Sequence, residues 1–307
     1  MIKLENYEVL GWEHTIRGMR NPMNSWEKSD SLFEDADGDY YTLYGNHGPR
    51  NVEREWCVEI GPNDHDLMMR LASAGPVHGK FRRMITVYVD ITAPLYWWKE
   101  FDTYKVGTVA NSCSTMHRIH DKAFTRGDFS WEHLCGAEED GILEDLHGDA
   151  WRPLEALDLT CCMLNECQVR YVAIDKKIKN KDFSSLEELE ALAVERKKWW
   201  WQMIQLLPSS YNQKRTVQLN YEVLANMYEY RKAHKLDEWR EFCKWIESLP
   251  YSELITCKTH IPDEGEPVKF SGPRGIVRPE EDIEKARKLL EDFKNGLIES
   301  EEENNDA

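Results

Sequence analysis

The chain has 307 residues, of which 41% are apolar and 11% aromatic, enough to bury a substantial core and to exclude disorder for most of the length. Its 39 Lys and Arg against 56 Asp and Glu give a formal charge of -17. This charge argues against a broad nucleic-acid surface and against binding to an anionic membrane, although a local basic pocket for a phosphate stays compatible with it.

Targeting signals and cysteine usage indicate the compartment. No segment approaches the roughly 18 uninterrupted apolar residues of a membrane span, and residues 1–14 carry acids where a secretory signal would be apolar. The Cys residues are scattered, and an adjacent pair such as Cys161 and Cys162 is rare in secreted disulfide frameworks. We therefore expect a cytoplasmic protein without membrane contact and with reduced thiols.

The N-terminal region is rich in turn signals. The first 60 residues predict short strands, with a hairpin around the Asp37-Gly38 turn. A short helix follows, and either Asn63 or Asp64 is expected to cap it.

A strand and a pocket-lining loop come next. Residues 84–91 are rich in β-branched and aromatic residues, which predicts a strand covered on both faces and ended by Ala93-Pro94. Residues 95–119 begin with helix-compatible aromatics and end in small polar residues, a composition typical of a loop that lines a pocket.

The second half of the chain is predominantly helical in pattern. Residues 125–150 mix Gly with acids and predict an irregular, exposed insertion. Ser185 and Glu188 form a capping-box pattern at the start of one helix. The predicted helices cover residues 153–176, 184 or 185 to 207, 215–235 and 237–249.

The C-terminal residues divide into three segments. Residues 251–278 are rich in Pro and Gly and predict a long connection. Residues 279–298 carry an apolar stripe at helical spacing, which predicts an amphipathic helix. The acidic residues 299–307 predict a disordered tail.

Two metal-like patterns are rejected. The Asp-rich run at residues 35–39 lacks the spacing of a calcium loop. A set of Cys and His has no familiar zinc spacing, so no metal is predicted. This set is Cys113, His117, His120 and Cys135.

Three sequence blocks together resemble the flavin-dependent thymidylate synthases, of the complementing-protein type. The first contains Gly75, His78 and Phe81 and ends at Ala93-Pro94. The second offers Glu100-Phe101 and then Thr103, Tyr104, Lys105, Thr108, Ala110, Asn111, Cys113 and Thr115 at the positions of the family's Arg-His-Arg signature. The third contains Pro208, Asn220, Asn226 and Arg231 without a gap.

The resemblance covers residues 60–120 and 195–250, about a third of the chain. It implies an α+β fold over residues 1–250, with an antiparallel sheet, helices and a long helical C-terminal half. It also implies a homo-oligomer such as a tetramer.

The resemblance further implies roles for individual residues. Arg231 would act catalytically on the pyrimidine of a nucleotide. The residues that would bind an FAD cofactor are His78, Tyr104, Lys105, Asn220 and Asn226. The residues that would bind the substrate are Lys99, Glu100, Thr108, Asn111, Ser112, Ser114 and Arg231.

Some signature positions depart from the family. Thr103 and Lys105 replace two Arg residues, and Ile204 replaces a third. Because Lys lacks the bidentate fork of Arg, we expect anion binding to be weaker or differently aimed. A solvated helix end is the alternative interpretation of this polar segment.

Helical spacing predicts that Asn220 and Arg231 lie on one stripe, about 16 Å apart along the axis. Leu224 and Met227 fall between them, a pattern that would suit a flat heteroaromatic ligand held at two polar ends. The alternative is a core-facing helix that ends in an exposed Arg.

Three functions remain open from sequence. The first is a flavin-dependent enzyme that transfers a one-carbon unit to dUMP or a related nucleotide, with folate and NADPH as co-substrates. The second is a catalytically inactive protein of the same fold that binds or sequesters a nucleotide. The third is a structural role with a protein partner, which the acidic segments suggest.

Overall fold

The structure is a computed structural model that describes residues 1–34, 40–41, 56–136, 143–144, 150–257 and 288. The strands are β1 (Lys3–Leu10), β2 (Leu32–Glu34), β3 (Tyr40–Tyr41), β4 (Trp56–Glu59), β5 (Thr86–Pro94), β6 (Val109–Ser112), β7 (Leu143–Glu144), β8 (Ala150–Trp151) and β9 (Asn212–Asn220). The α-helices are α1 (Trp12–Arg20), α2 (Pro62–Ser73), α3 (Leu95–Phe101), α4 (Thr115–Arg118), α5 (Pro153–Lys179), α6 (Leu186–Leu206), α7 (Tyr221–Arg231), α8 (Asp237–Glu247) and α9 (Glu253–Thr256).

An antiparallel sheet in the order β1-β5-β9-β6 forms the centre of the molecule. Its inner pair, β5 and β9, is aligned from Thr86 opposite Asn220 to Pro94 opposite Asn212. Helices pack against the face that carries Val87, which is fully buried. The predicted α+β class with an antiparallel sheet is therefore confirmed.

Strand β5 corrects two predictions. It is covered on one face only, because its side chains alternate and Tyr88 on the other face is 40% exposed. The strand also continues through Ala93 to Pro94, and α3 begins directly after it. Proline fits this last strand position because its fixed φ suits both the strand end and the start of a helix.

The N-terminal region contains a helix that the sequence did not predict. Helix α1 follows Gly11, whose φ of 94° lies in the left-handed region, and it buries Ile16. The predicted hairpin is confirmed by the antiparallel pairing of β2 with β3. Its turn at Asp37-Gly38 lies outside the described residues.

Helices α5 and α6 confirm two predicted helices. The N-terminus of α6 is capped as the pattern indicated, because the Ser185 hydroxyl accepts from the Glu188 N–H at 3.2 Å. The Glu188 carboxylate returns the bond by accepting from the Ser184 N–H at 2.7 Å. Helix α8 confirms the predicted helix over residues 237–249.

The predicted helix over residues 215–235 is wrong in its first part. Residues up to Asn220 belong to β9, because β5 and β6 pair with this segment on its two sides. Asn220 is extended and caps α7 by accepting from the Val223 N–H at 2.9 Å. Asn220 and Arg231 therefore mark the two ends of α7 and do not share one helical stripe.

The main core lies between the sheet and the helices α1, α2, α3, α7 and α8. Its largest members are aromatic, and Trp97 lies 4.7 Å from Trp239 between ring centroids. This contact fastens α3 to α8. The fully buried aromatic side chains of this core also include Trp98, Phe101, Tyr221 and Phe242.

A second core lies between α5, α6 and the segment that precedes them. It includes Phe129, which is only 2% exposed and pairs with Tyr211 in an isolated β-bridge. Residues 125–150 are therefore not exposed throughout, because aromatic side chains at their start fill this core. The segments 258–287 and 289–307, with the predicted connection, the amphipathic helix and the tail, lie outside the described residues, so the predicted domain limits stay predictions.

The described part of the chain contains neither a membrane-spanning helix nor a cluster of metal-ligating side chains. None of its helices combines the length and hydrophobicity that crossing a bilayer requires. The residues in the described ranges also form no cluster of three or more His, Cys, Asp or Glu arranged for a metal ion.

Candidate functional site

Arg231, the last residue of α7, is the centre of a polar cluster. Its Nε donates to the Tyr104 hydroxyl at 2.8 Å, and its Nη1 donates to Glu100 Oε2 at 2.7 Å. Glu100 lies on α3, and Tyr104 lies in the loop that follows this helix, so these contacts join α3 to α7. The Arg231 side chain is 18% exposed, which shields the ion pair partly from water.

Trp239 packs beneath this ion pair. Its Nε1 donates to Glu100 Oε2 at 3.0 Å, so one carboxylate oxygen accepts from both Trp239 and Arg231. The guanidinium carbon of Arg231 lies 4.7 Å from the Trp239 ring centroid, a cation–π geometry. Trp239 is fully buried, so it fixes the position of the cation and offers no open face for a ligand.

His234 faces the same carboxylate. Its Nδ1 accepts from the Leu236 N–H at 3.2 Å, so in the neutral ring the proton is on Nε2. Nε2 lies 3.4 Å from Glu100 Oε2. We name the whole group the Arg231 cluster, and its members are Glu100, Tyr104, Arg231, His234 and Trp239.

The loop 102–108 leads away from the Arg231 cluster. At its start Asp102 accepts from Arg215 Nη1 at 2.7 Å, which ties the loop to β9. Within the loop, the Thr108 hydroxyl donates to the Tyr104 carbonyl oxygen. The loop is thus held both by the sheet and by its own hydrogen bond.

Gly107 brings the same loop against the start of α7. Its φ is 83°, a left-handed conformation that favours glycine. A Cβ at this position would lie 2.8 Å from Nδ2 of Asn220, so a larger residue would collide with the helix cap. The loop therefore follows α7 from Arg231 at one end to Asn220 at the other.

A cleft of about 180 Å³ opens where this loop meets the sheet. It is lined by Arg83, Thr86, Gly107, Thr108, Val109, Gln218, Leu219 and Asn220. Its lining contains one cation and no carboxylate, although the chain as a whole carries a formal charge of -17. The charge that the lining itself contributes to the cleft is therefore positive.

The structure brings together part of the predicted site. Glu100, Tyr104 and Arg231 share hydrogen bonds, while Thr108 and Asn220 line the cleft. Other predicted residues are exposed, and their side chains form no hydrogen bond with any described residue. These are Lys99, Lys105, Asn111, Ser112 and Asn226.

Two further predicted residues serve the backbone. The Ser114 hydroxyl accepts from the His117 N–H at 3.3 Å and so caps α4. His78 is exposed at the start of the 3-10 turn Gly79–Met84. No contact in the described structure joins either residue to the Arg231 cluster or to the cleft, so their predicted binding roles stay predictions.

The predicted ligand-binding stripe on α7 is wrong. Leu224 and Met227 are both 0% exposed and belong to the main core, so a ligand does not reach them. The alternative of a core-facing helix is correct for this face. That alternative also expected an exposed Arg, whereas Arg231 is largely covered by Glu100 and Tyr104.

Sequence reasoning missed several residues of the site, among them Arg83, Gln218, His234 and Trp239. Gln218 could have been found, because a strand assignment for residues 212–220 places it on the same face as Asn220. The other three are brought in by contacts between distant segments, which no local pattern reports.

The cleft is small for the cofactor that the resemblance implied. A pocket that buries a drug-sized ligand typically has about 300–1,000 Å³. The cleft of about 180 Å³ is smaller, and the predicted flavin ligands Tyr104, Lys105, Asn220 and Asn226 do not converge on one space. The described residues around this cleft therefore do not by themselves enclose a flavin dinucleotide.

Comparisons with known proteins give distant likenesses. No protein-family model and no curated protein sequence matches the chain. Among solved structures, the flavin-dependent thymidylate synthase ThyX from Helicobacter pylori, complexed with FAD and dUMP, is 11% identical with a TM-score of 0.47; the match covers 83% of this chain and 98% of that one.

Two further structures are comparable. A second structure of Helicobacter pylori ThyX with FAD and dUMP is 13% identical with a TM-score of 0.48, covering 85% of this chain and 100% of that one. The UMP/dUMP methylase PolB from Streptomyces cacaoi, bound with 5-Br dUMP, is 12% identical with a TM-score of 0.42. This match covers 84% of this chain and 95% of that one. These likenesses of shape assign no ligand to this chain, and they do not support the complementing-protein type.

Proposed function

We propose that the protein binds a pyrimidine nucleotide at the Arg231 cluster. The observation that carries this proposal is the position of Arg231, whose cation is oriented by Glu100, Tyr104 and Trp239 at a partly open surface. A cation held in this way can meet a ligand without first losing the rotamer entropy of a free Arg side chain.

The unused atoms of the cluster suit the edge of a pyrimidine base. Nη2 of Arg231 and Oε1 of Glu100 form no hydrogen bond with any residue that the structure describes. A donor next to an acceptor matches the neighbouring acceptor and donor groups of a pyrimidine ring. Tyr104 is half-buried, and the open part of its ring can contact the base or the sugar.

Isothermal titration calorimetry tests this proposal. UMP and dUMP should bind more tightly than AMP and GMP, and Arg231→Lys should weaken their binding about tenfold or more by removing the guanidinium fork. Lys232→Ala is the matched control, because it removes a neighbouring exposed cation and should leave the affinity nearly unchanged. Equal affinity in the Arg231 variant and the unsubstituted protein would contradict the proposal.

A finer hypothesis adds flavin chemistry to this binding. In it, FAD would supply the hydride for one-carbon transfer to dUMP, with folate and NADPH as co-substrates. The sequence motifs support this hypothesis, whereas the small cleft and the dispersed flavin residues speak against it for one chain. The absorbance spectrum of the purified protein decides: a colourless protein that takes up no added FAD would end the flavin hypothesis and leave nucleotide binding untouched.

The geometry favours a second candidate, a nucleotide-binding protein without catalysis. Arg231 is already neutralised by Glu100, whereas a catalytic cation is usually held ready for charge that develops in the transition state. This candidate predicts tight nucleotide binding without turnover. Incubation of labelled dUMP with FAD, NADPH and a reduced folate that carries a one-carbon unit would contradict it if a methylated product formed.

We also propose self-association through α5. Leu159 and Met163 lie four residues apart on its exposed face and are 53% and 49% exposed. Apolar residues that follow one another along a helix face are frequently covered by a partner. Sedimentation velocity should give an oligomer for the unsubstituted chain and a smaller species for Met163→Glu, and an unchanged monomer for both would refute this proposal.

A further inference from the structure

Two adjacent arginines next to the cleft have different surroundings. Arg82 is buried and donates to Glu222 at 2.8 Å and to the Leu254 carbonyl oxygen at 3.0 Å. Arg83 is exposed, lines the cleft, and forms no hydrogen bond or ion pair with any residue in the described ranges. Since Arg82 already neutralises Glu222, the charge of Arg83 stays available to a ligand.

The rest of the cleft supplies further donors. The Thr86 hydroxyl and the Gln218 amide form no hydrogen bond with a described residue. Asn220 uses its Oδ1 to cap α7, which leaves its Nδ2 as a donor beside Gly107. The register of the β5–β9 pair explains why these side chains converge on the cleft. Thr86 lies opposite Asn220, and Gln218 lies two residues before Asn220 on the same face of β9.

The composition of this lining distinguishes between ligand types. An apolar ligand would leave these side-chain donors without partners, which is costly once they are covered. A cation would be repelled by Arg83 and would find no carboxylate in the lining. An anion with several acceptor oxygens satisfies the guanidinium fork and the amide donors together.

Gly107 adds close access to the backbone. Because it has no side chain, the loop can approach Asn220 closely, and a ligand can lie against the loop backbone between Gly107 and Thr108. The volume of about 180 Å³ suits a phosphate group with part of the molecule attached to it. It is small for a complete nucleotide.

We propose that this cleft is a phosphate-binding site in which Arg83 provides the charge. The phosphate belongs either to the nucleotide proposed to bind at the Arg231 cluster or to a second phosphorylated small molecule. The first case rests on the proposed function, whereas the second does not. Arg83 and Asn220 are the residues on which the site depends.

Inorganic phosphate is the first probe, and its binding is monitored by amide NMR spectroscopy of the full chain. Titration at constant ionic strength should shift the Gly107, Thr108 and Asn220 backbone resonances. Arg83→Gln should weaken this binding about tenfold or more, since a charge-assisted hydrogen bond is lost. Lys80→Gln removes the same charge from the same turn outside the cleft and should change the affinity less than about twofold.

Gly107→Ala is a second, independent variant. Its Cβ would lie 2.8 Å from Asn220 Nδ2, so it should reduce phosphate binding while Arg83 is still present. The melting temperature of each variant shows whether it is folded. Phosphate shifts that are absent, or that are equal in Arg83→Gln and in the unsubstituted chain, overturn the proposal.

Nucleotides then separate the two sources of phosphate. If the phosphate is that of the nucleotide, Arg83→Gln should weaken UMP binding but leave uridine binding unchanged. If it belongs to another molecule, Arg83→Gln should weaken phosphate binding as above and leave UMP binding unchanged. Phosphate binding through Arg83 in a protein that binds no nucleotide at all would support this site and refute the proposed function.

Discussion

Glu100 Oε2 lies 2.7 Å from Nη1 of Arg231, so the carboxylate of α3 neutralises the cation at the end of α7. The same oxygen accepts from the buried indole of Trp239 at 3.0 Å. Glu100 therefore holds three elements together, since Trp239 lies on α8. Its role is structural even before any ligand is considered.

Glu100→Gln should lower the free energy of unfolding by about 1–2 kcal/mol. The amide oxygen can still accept from Trp239, but the charge-assisted bond to Arg231 is lost, and such bonds contribute about 1.5–3 kcal/mol when well shielded. Urea unfolding followed by Trp fluorescence measures the change. Glu229→Gln removes an exposed i,i+3 partner of Lys232 and should cost less than about 0.5 kcal/mol; equal losses would contradict this assignment.

Asp64→Asn should destabilise the protein more strongly, by about 3–5 kcal/mol, because it leaves the cation of a buried ion pair uncompensated. Asp64 is 0% exposed and accepts from Arg20 Nε at 2.5 Å and from the Ser29 hydroxyl at 2.7 Å. Thermal and urea unfolding measure the loss. Asp66→Asn lies on the same helix in an exposed pair with Arg70 and should have little effect.

Asp90 should make the stability depend on pH in the acid range. Hydrogen bonds from Thr216, Asn6 and Lys214 lower the pKa of Asp90 from 3.8 to about 2. Because the folded-state pKa lies below the unfolded value of about 3.9, ionised Asp90 stabilises the fold above about pH 4, and this contribution is lost as the pH falls toward 2.

Urea unfolding at several pH values between about 2 and 5 tests this expectation. Asp90→Asn should flatten the pH dependence in this window, whereas Asp182→Asn, which removes an exposed carboxylate, should leave it unchanged. If both variants follow the unsubstituted protein, Asp90 does not contribute in the expected way.

The thiols should differ in reactivity according to burial. Burial raises the pKa of Cys243 to about 11 and also raises the pKa of Cys161, whereas Cys162 is exposed. Iodoacetamide at about pH 8 should therefore modify Cys162 faster than its neighbour Cys161, because only the thiolate reacts. Peptide mass spectrometry resolves the sites, and faster modification of Cys243 than of Cys162 would count against the packing described for α8.

The fold was predictable where local signals decide it. The capping pattern of Ser185 and Glu188 marked the start of α6 correctly because a cap depends only on neighbouring residues. The boundary between β9 and α7 was missed because residues 212–231 contain no Gly or Pro. There the pairing with β5, more than a hundred residues away in sequence, keeps the first half extended.

The same division applies to the site. The resemblance assigned Tyr104 and Arg231 to the site, and the two share a hydrogen bond, while the roles that it gave them stay predictions. It missed Trp239 and Arg83, because their places depend on how α8 packs on α3 and on which of two neighbouring arginines is buried. Both depend on tertiary packing, which the order of residues along the chain does not display.

Asn220 and Asn226, which the resemblance assigned to one cofactor, should differ in the effects of their substitution by alanine. Asn220→Ala should lower the free energy of unfolding by about 1 kcal/mol, because the cap of α7 is lost. It should also weaken phosphate binding, since Nδ2 lies in the cleft. Asn226→Ala should change neither property, because that side chain is exposed and makes no hydrogen bond with a described residue.

Urea unfolding and phosphate titration of both variants measure these effects. If Asn226→Ala instead removes a bound flavin that Asn220→Ala also removes, the two side chains act on one ligand, and the cofactor assignment from the motifs is correct after all.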